Sequence, residues 1–306
     1  MKYWSHLEKG DYVDVVAPAS PCPRENLEAG CRWIESVGLI PRYPRDIIKG
    51  DVFFATTLKE QLEFMKEAVY SDSRALWSLR GGYGSMRLIP YMEKWKAPKH
   101  PKFFMGFSDV TALHLFFTQN WGWSTLHGRN VSAMSTEKKS KDRKEIQDML
   151  FGKKEELIFP NLKPLNELAQ KNKTISGKIT GGNLKLLQTS IGTSWELEAK
   201  GKILFLEDIG ERGYAVDRML EQLWQAKIIH KGLKALVLGD FIEGEEKDGR
   251  DLTGLALRRF AEKAPFPVLR GMKAGHGDVN FTVPFNTRAT LITGKKAVLT
   301  AETGGR

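Results

Sequence analysis

The sequence predicts an α/β protein, with an N-terminal doubly wound parallel sheet and a C-terminal mixed α/β, β-rich domain. Three observations carry that expectation. Apolar runs of strand length alternate with stretches of helical spacing through the first half of the chain. Turns rich in small residues, Arg80–Gly84 and Gly106–Asp109, stand at the carboxyl ends of two such runs, where sheets of this kind bind ligands. From Phe151 to Thr174 the chain turns polar, proline-bearing and lysine-rich. That stretch reads as a linker between a domain at 1–150 and a second at 175–306.

Tyr12–Ala17 reads as the first strand, closed by the breakers Pro18-Ala19-Ser20-Pro21. Glu25–Val37 has helical spacing through Leu27, Cys31 and Ile34, and Gly38 stops it. Leu58–Tyr70 is a helix with Leu62, Phe64, Met65 and Val69 on one side. Arg74–Leu79 is a strand that runs straight into Arg80-Gly81-Gly82-Tyr83-Gly84, before a helix from Ser85 to about Trp95. The apolar run Lys102–Met105, a helix from Val110 and a short strand at Ser124–His127 complete a Rossmann- or flavodoxin-like order. Beyond the linker, a strand and helix occupy Ile175–Ser190, and the strands Lys202–Leu206 and Ala235–Leu238 flank a helix at Val216–Ile229. A helix at Leu255–Ala264 precedes short β segments near Phe281–Val283, Ala289–Ile292 and Ala297–Thr300.

A chain of 306 residues has room for about two domains. Its hydrophobic and charged fractions, 41% and 27%, are those of an ordinary globular protein. The first fifteen residues hold no apolar run able to act as a signal-peptide core, and no run has transmembrane length. Cys22 and Cys31 are too few for a disulfide framework and lack Cys-x-x-Cys spacing. A cytoplasmic protein is expected. The net charge of +10 invites a nucleic-acid reading. Much of the excess, however, sits in Glu137–Lys178, where KKSKDRKE and KPLNELAQKNKT look like solvated helix and linker. No basic-aromatic repeat accompanies it, so no nucleic-acid or membrane partner is expected.

The chemistry centres on Gly106-Phe107-Ser108-Asp109. Strand, sharp turn and helix would hold the Ser108 hydroxyl at an elbow, with the next backbone N–H placed for an oxyanion. The G-x-S-x-G form would need glycine where Val110 stands. A plainer reading makes Ser108 and Asp109 the capping pair of a βα turn, since a carboxylate suits the amides and dipole of a helix start.

A serine nucleophile needs a base within hydrogen-bond reach and a group to orient that base. His114 stands six residues along the helix, ~9 Å from Ser108 at ~1.5 Å per residue. His6, His100 and His230 have polar, lysine-bearing surroundings and read as surface. His127 ends a strand of the same sheet and stays open. His276, in Ala274-Gly275-His276-Gly277-Asp278, lies in a glycine-flanked turn that frees its ring; a structural loop histidine would look the same. For the acid, GKILFL at Gly201–Leu206 runs into Glu207-Asp208, and Glu211 is near. Alternation says only that Glu207 and Asp208 face opposite ways.

With these residues assembled, the chain resembles the LD-carboxypeptidase family of serine peptidases, which includes the microcin-immunity peptidases. The matching pieces are RGGYG at Arg80–Gly84, GFSDVTALH at Gly106–His114, GGNL at Gly181–Leu184, LEDIGE at Leu206–Glu211, YAVDRML at Tyr214–Leu220 and GHG at Gly275–Gly277. They come in the family's order along almost the whole chain. The resemblance implies a catalytic triad of Ser108, Glu207 and His276, and prefers Glu207 to Asp208. It also implies an oxyanion hole from amides at Asp109 and the Gly81-Gly82 turn, a site at the domain interface, a homodimer, and no metal or other cofactor. Leu126-His127-Gly128-Arg129-Asn130 lacks the family's usual proline, and Pro284-Phe285-Asn286 replaces its P-L-G. Both departures bear on the pocket rim rather than on the triad.

The resemblance leads to a cytoplasmic peptidase that removes the terminal D-alanine of a murein tetrapeptide in cell-wall recycling. Such a substrate carries carboxylates, for which Arg80 and Arg129 are candidates. An immunity-type peptidase acting on an aminoacyl-nucleotide conjugate would need an aromatic platform, for which Trp195 is available. A non-catalytic basic binding protein has only the charge in its favour. A metallopeptidase has less, because no H-E-x-x-H occurs and His276 with Asp278 gives two ligands.

Overall fold

The computed structural model describes residues 2–50, 53–135, 141–230 and 232–305. The chain forms two compact units, Met1–Glu155 with Thr282–Pro284 and Thr303–Arg306, and Glu156–Phe281 with Phe285–Glu302.

The first unit alternates β1 (Tyr12–Val16), α1 (Arg24–Ser36), β2 (Ile40–Arg42), α2 (Leu58–Tyr70) and β3 (Ala75–Ser78). A 3-10 turn at Ser85–Leu88 leads into the short α3 (Ile89–Met92), where the sequence suggested one longer helix. β4 (Phe103–Gly106), α4 (Thr111–Gln119), β5 (Thr125–His127) and α5 (Lys141–Leu150) follow. The strands β2, β1, β3, β4 and β5 lie side by side in that order, parallel throughout, and β11 (Val283–Phe285) is the sixth strand beside β5. The winding therefore reverses between β1 and β3, and right-handed crossovers put helices on both faces. Strands covered on both sides need apolar residues throughout, and Ala75–Ser78 and Phe103–Gly106 are wholly buried. An aromatic cluster fills the core, with Phe117 stacked on Trp123 at 5.2 Å and edge-on to Phe104 at 4.7 Å. The chain termini meet here too: Trp4 N–H donates to the Gly304 carbonyl at 3.1 Å.

The second unit is a closed barrel in the order β10-β6-β13-β12-β7-β8-β9. Its members are β6 (Glu156–Pro164), β7 (Thr174–Asn183), β8 (Lys202–Ile209), β9 (Ala235–Ile242), β10 (Val268–Arg270), β12 (Arg288–Ile292) and β13 (Ala297–Glu302). β7 to β10 run parallel, joined by α7 (Leu184–Thr189), α8 (Gly213–Gln225) and α9 (Thr253–Lys263). Antiparallel β6, β13 and β12 close the ring.

The expected linker is the main departure. Residues 156–164 form β6 and Glu167–Gln170 the short α6, with Leu157, Phe159 and Leu162 turned inward between exposed neighbours. The expected division at 150 and 175 is thus replaced by one at Glu155, and C-terminal residues return to the first unit. Of the stretch expected as solvated helix, KKSKDRKE, residues 138–140 lie outside the described residues. The rest belongs to α5, which buries Asp142, Glu145, Ile146, Met149 and Leu150. No helix among the described residues is long and apolar enough to cross a membrane.

Candidate active site

In the first unit the elbow forms as its sequence suggests, but other contacts hold it. β4 ends at Gly106, Phe107 is extended, and Ser108 takes φ 67° before a 3-10 turn at Ser108–Val110 opens α4. Left-handed backbone at a non-glycine residue costs about 1–3 kcal/mol and persists only where its surroundings enforce it. Here they do. The Asn130 side chain accepts from Phe107 N–H at 3.3 Å. The His114 ring lies 2.8 Å from the Gly106 carbonyl through Nε2 and 2.9 Å from Thr125 Oγ1 through Nδ1. A carbonyl can only accept, so Nε2 carries the hydrogen and Nδ1 takes the Thr125 hydroxyl. Burial, with His127 nearby, pushes the pKa of this imidazole down to about 3. His114 is a neutral strut.

Asp109 does not cap its own helix. Its carboxylate accepts from the N–H groups of Gly84 at 3.3 Å and Ser85 at 2.8 Å, and its carbonyl takes the Ser85 hydroxyl at 2.6 Å. The start of the 3-10 turn after β3 is therefore tied to the elbow after β4. Burial raises the Asp109 pKa, against these same bonds. Gly81 lies directly on the serine: a Cβ built there would come 2.8 Å from Ser108 Cβ and 3.2 Å from its Oγ. Ser20, after β1, fixes that loop by donating its N–H to the Gly81 carbonyl at 3.2 Å and accepting from Tyr83 N–H at 3.1 Å. The N–H groups of Gly81 and Gly82 donate to no other described residue. Three strand ends flanking the reversal of the sheet thus converge on Ser108.

The remaining candidates of this unit have other engagements. His127 is fully buried, its ring edge-on to Phe107 at 6.0 Å. Arg129 pairs with buried Asp142 of α5, and Arg80 donates to the Pro21 carbonyl. His100 is exposed, and His6 is half-buried, edge-on to Trp4 at 5.5 Å.

In the second unit β8 delivers Glu207, and the loop after β10 delivers His276. Glu207 is fully buried, and its Oε2 lies 2.6 Å from His276 Nδ1. A carboxylate accepts, so Nδ1 is the donor and Nε2 keeps the lone pair a base needs. The His276 side chain is 12% exposed. Burial works against its protonation, but the Glu207 bond and the charges of Glu207, Asp208 and Asp240 outweigh it, leaving the pKa above the usual 6.5. Gly275 makes the contact possible, since a Cβ there would lie 2.9 Å from Glu207 Oε2.

Asp208 points the other way, as strand alternation demands. Its carboxylate accepts from Asn183 Nδ2 at 2.9 Å and from Lys185 N–H at 3.0 Å, where α7 begins. Burial, then the neighbouring Glu207 charge, pushes its pKa up to about 6. Glu211 pairs with Lys185 at 3.0 Å. His230 packs on Trp224 at 4.7 Å. Trp195, the possible platform, is 3% exposed and belongs to the core, so it offers no face to a ligand. Among the described residues, no three His, Cys, Asp or Glu side chains are grouped to hold a metal ion.

The structure thus joins Gly81 to Ser108 in one unit and Glu207 to His276 in the other. Sequence reasoning passed over Asn183, His114 as a strut, and Asp240, whose carboxylate takes the Gly277 N–H at 3.1 Å. Asp240 bears the signal that located Glu207: an acid directly after an apolar strand, here ALVLG.

Comparison with known proteins identifies the family of both halves of the chain. The family model of the LD-carboxypeptidase N-terminal domain matches residues 13–128, and that of the C-terminal domain matches 176–291. The chain belongs to the LD-carboxypeptidase family of serine peptidases. A putative carboxypeptidase of Rickettsia conorii is 38% identical over 95% of this chain and 91% of its own length. A probable murein peptide carboxypeptidase of Bacillus subtilis is 32% identical over 96% and 92%. The crystal structure of an MccF-like protein from Bacillus anthracis superposes with a TM-score of 0.82, covering 98% of each chain at 24% identity. That likeness is one of fold.

Proposed function

We propose that this protein is a serine LD-carboxypeptidase that releases the terminal D-alanine of a murein tetrapeptide through an acyl-enzyme. The observation that carries the reading is the 2.6 Å bond from His276 Nδ1–H to buried Glu207, which leaves Nε2 as a base. His276 Nε2 takes the Ser108 proton as the hydroxyl oxygen attacks the carbonyl of the L,D bond. The oxyanion is held by the amides of Asp109 and of Gly81 and Gly82, each worth roughly 3–4 kcal/mol in comparable sites. The imidazolium passes its proton to the leaving D-alanine nitrogen, and the C–N bond breaks. Water then attacks the acyl-serine, giving its proton to Nε2, and Ser108 leaves as the hydroxyl. Glu207 keeps the ring in one tautomer and balances its charge throughout.

The murein peptide is favoured by the relative of that name, 32% identical over 96% of this chain. The partner is then a small peptide rather than a nucleic acid or a membrane. Cytoplasmic location fits Cys22 and Cys31, both buried free thiols. A homodimer is the assembly expected of this family. A second reading, immunity-type hydrolysis of an aminoacyl-nucleotide, draws on the MccF-like fold. The burial of Trp195 removes the base platform it called for.

Mass spectrometry of murein tetrapeptide incubated with the wild type and with Ser108→Ala, EDTA present, tests the reading. Loss of one alanine by the wild type alone is expected. Equal loss by both would sink the serine mechanism, and no loss by either, with turnover of an aminoacyl-nucleotide, would favour the second reading.

A further inference from the structure

The pairing of β8 with β9 slips at Glu207. Leu206 pairs with Leu238 and Asp208 with Phe241, so the single residue Glu207 faces both Gly239 and Asp240. That is a β-bulge, a device that re-aims the side chains beside it. Asp240 uses the extra freedom to grip the loop after β10 at two points. Its N–H donates to the Ala274 carbonyl at 3.0 Å, and its Oδ2 accepts from Gly277 N–H at 3.1 Å. His276 lies between those two points. The fit is close on both sides: a Cβ on Gly239 would come 2.3 Å from the Ala274 oxygen, and one on Gly277 would come 2.7 Å from Asp240 Oδ2. Asn280 Oδ1 completes the hold by accepting from Gly275 N–H at 3.1 Å.

We infer that Asp240 is the positioning residue of His276: its backbone and carboxylate fix the loop that carries the imidazole, and its charge favours the protonated ring. The inference rests on His276 being the general base proposed above. A second carboxylate suits that role, because the imidazolium must form as the Ser108 proton is taken, and a fixed charge nearby costs no reorganisation at that moment. The charges bearing on the ring are those of Glu207 and Asp208 of β8 and Asp240 of β9, with Asp278 two residues on along its own loop; Lys273 lies near enough to Asp240 to temper its charge. Removing Asp240 alone therefore leaves the ring among other acids, which makes its own share measurable.

The experiment is an NMR titration of the His276 ring in the full-length free protein, comparing wild type with Asp240→Asn, Asp240→Ala and, as reference, Glu207→Gln. Asp240→Asn keeps the shape and an acceptor for Gly277 N–H but removes the charge. Its midpoint moves to lower pH, by less than that of Glu207→Gln. Asp240→Ala also frees the loop: exchange of the Gly277 amide accelerates about tenfold or more, and kcat falls about tenfold or more at unchanged KM. An unmoved midpoint in Asp240→Asn, or unchanged Gly277 exchange in Asp240→Ala, overturns the inference. If the alanine variant does not fold, the asparagine midpoint decides alone. A ring that shifts as expected in a protein inactive on every peptide would overturn the functional reading and leave the positioning role intact.

Discussion

Glu207 Oε2 and His276 Nδ1 lie 2.6 Å apart, at the fully buried end of a parallel strand. A charge-assisted bond of that length orients the ring and favours its protonated form. Glu207→Gln keeps the size of the side chain but loses the charge and allows the wrong tautomer, so kcat falls by on the order of 10³–10⁴. The pH profile supplies the sign. As the proposed base, His276 works unprotonated, so kcat/KM in the wild type should fall as pH drops through its pKa, which is raised above 6.5. With the Glu207 charge gone, that acid limb moves to lower pH. A limb that stays in place would show that another group controls it.

Ser108 holds φ 67°, a conformation that glycine adopts without strain. Ser108→Gly should abolish hydrolysis and yet stabilise the first unit by about 1 kcal/mol. Urea denaturation of the two proteins checks this. A destabilised glycine variant would mean that the backbone is relaxed at the elbow.

Asp109 accepts two buried N–H groups from the loop after β3. Asp109→Ala leaves both without an acceptor, at a cost of about 2–4 kcal/mol, and loosens Gly81 from Ser108. Both stability and kcat should fall. Unchanged kcat in a destabilised variant would separate the loop from catalysis.

His114 remains neutral when folded, its pKa pushed down to about 3 from the usual 6.5. Between those values the unfolded chain takes up a proton and the folded one does not. Stability therefore drops as pH is lowered through that window, by about 1.4 kcal/mol per unit. Asp208, raised to about 6, and Asp109, also raised, act in the opposite sense, so the bare slope is a mixture. The difference in slope between wild type and His114→Gln isolates the histidine. Parallel slopes would refute the neutral strut.

Legibility followed burial. β1, β3 and β4 lie in a parallel sheet covered on both faces, and their apolar runs stand out at once. β6 is an antiparallel strand with one buried face, and its inward Leu157, Phe159 and Leu162 stand among Pro160, Asn161, Lys163 and Pro164, which mimic a linker. Barrel closure was hidden because it depends on pairing 156–164 with 297–302, a register no local pattern encodes. The charge of Asp109 predicted proximity to a helix start. Which start it serves depends on a loop from a neighbouring strand. Arg129 looked available until Asp142 arrived from a stretch that reads as solvated, and Trp195 looked like a surface ring for want of any sign of what covers it.

The first unit is not one continuous stretch of polypeptide. Its sheet takes β11 as a sixth strand, and Trp4 bonds to Gly304, so these pieces are synthesised long after residue 155. A chain that has reached residue 155 leaves one edge of β5 unpaired and Trp4 without its Gly304 partner. Such an open edge invites pairing with other chains. The contacts that hold the elbow around Ser108 all come from residues before Glu155, so the elbow can form while the edge of β5 still waits for β11.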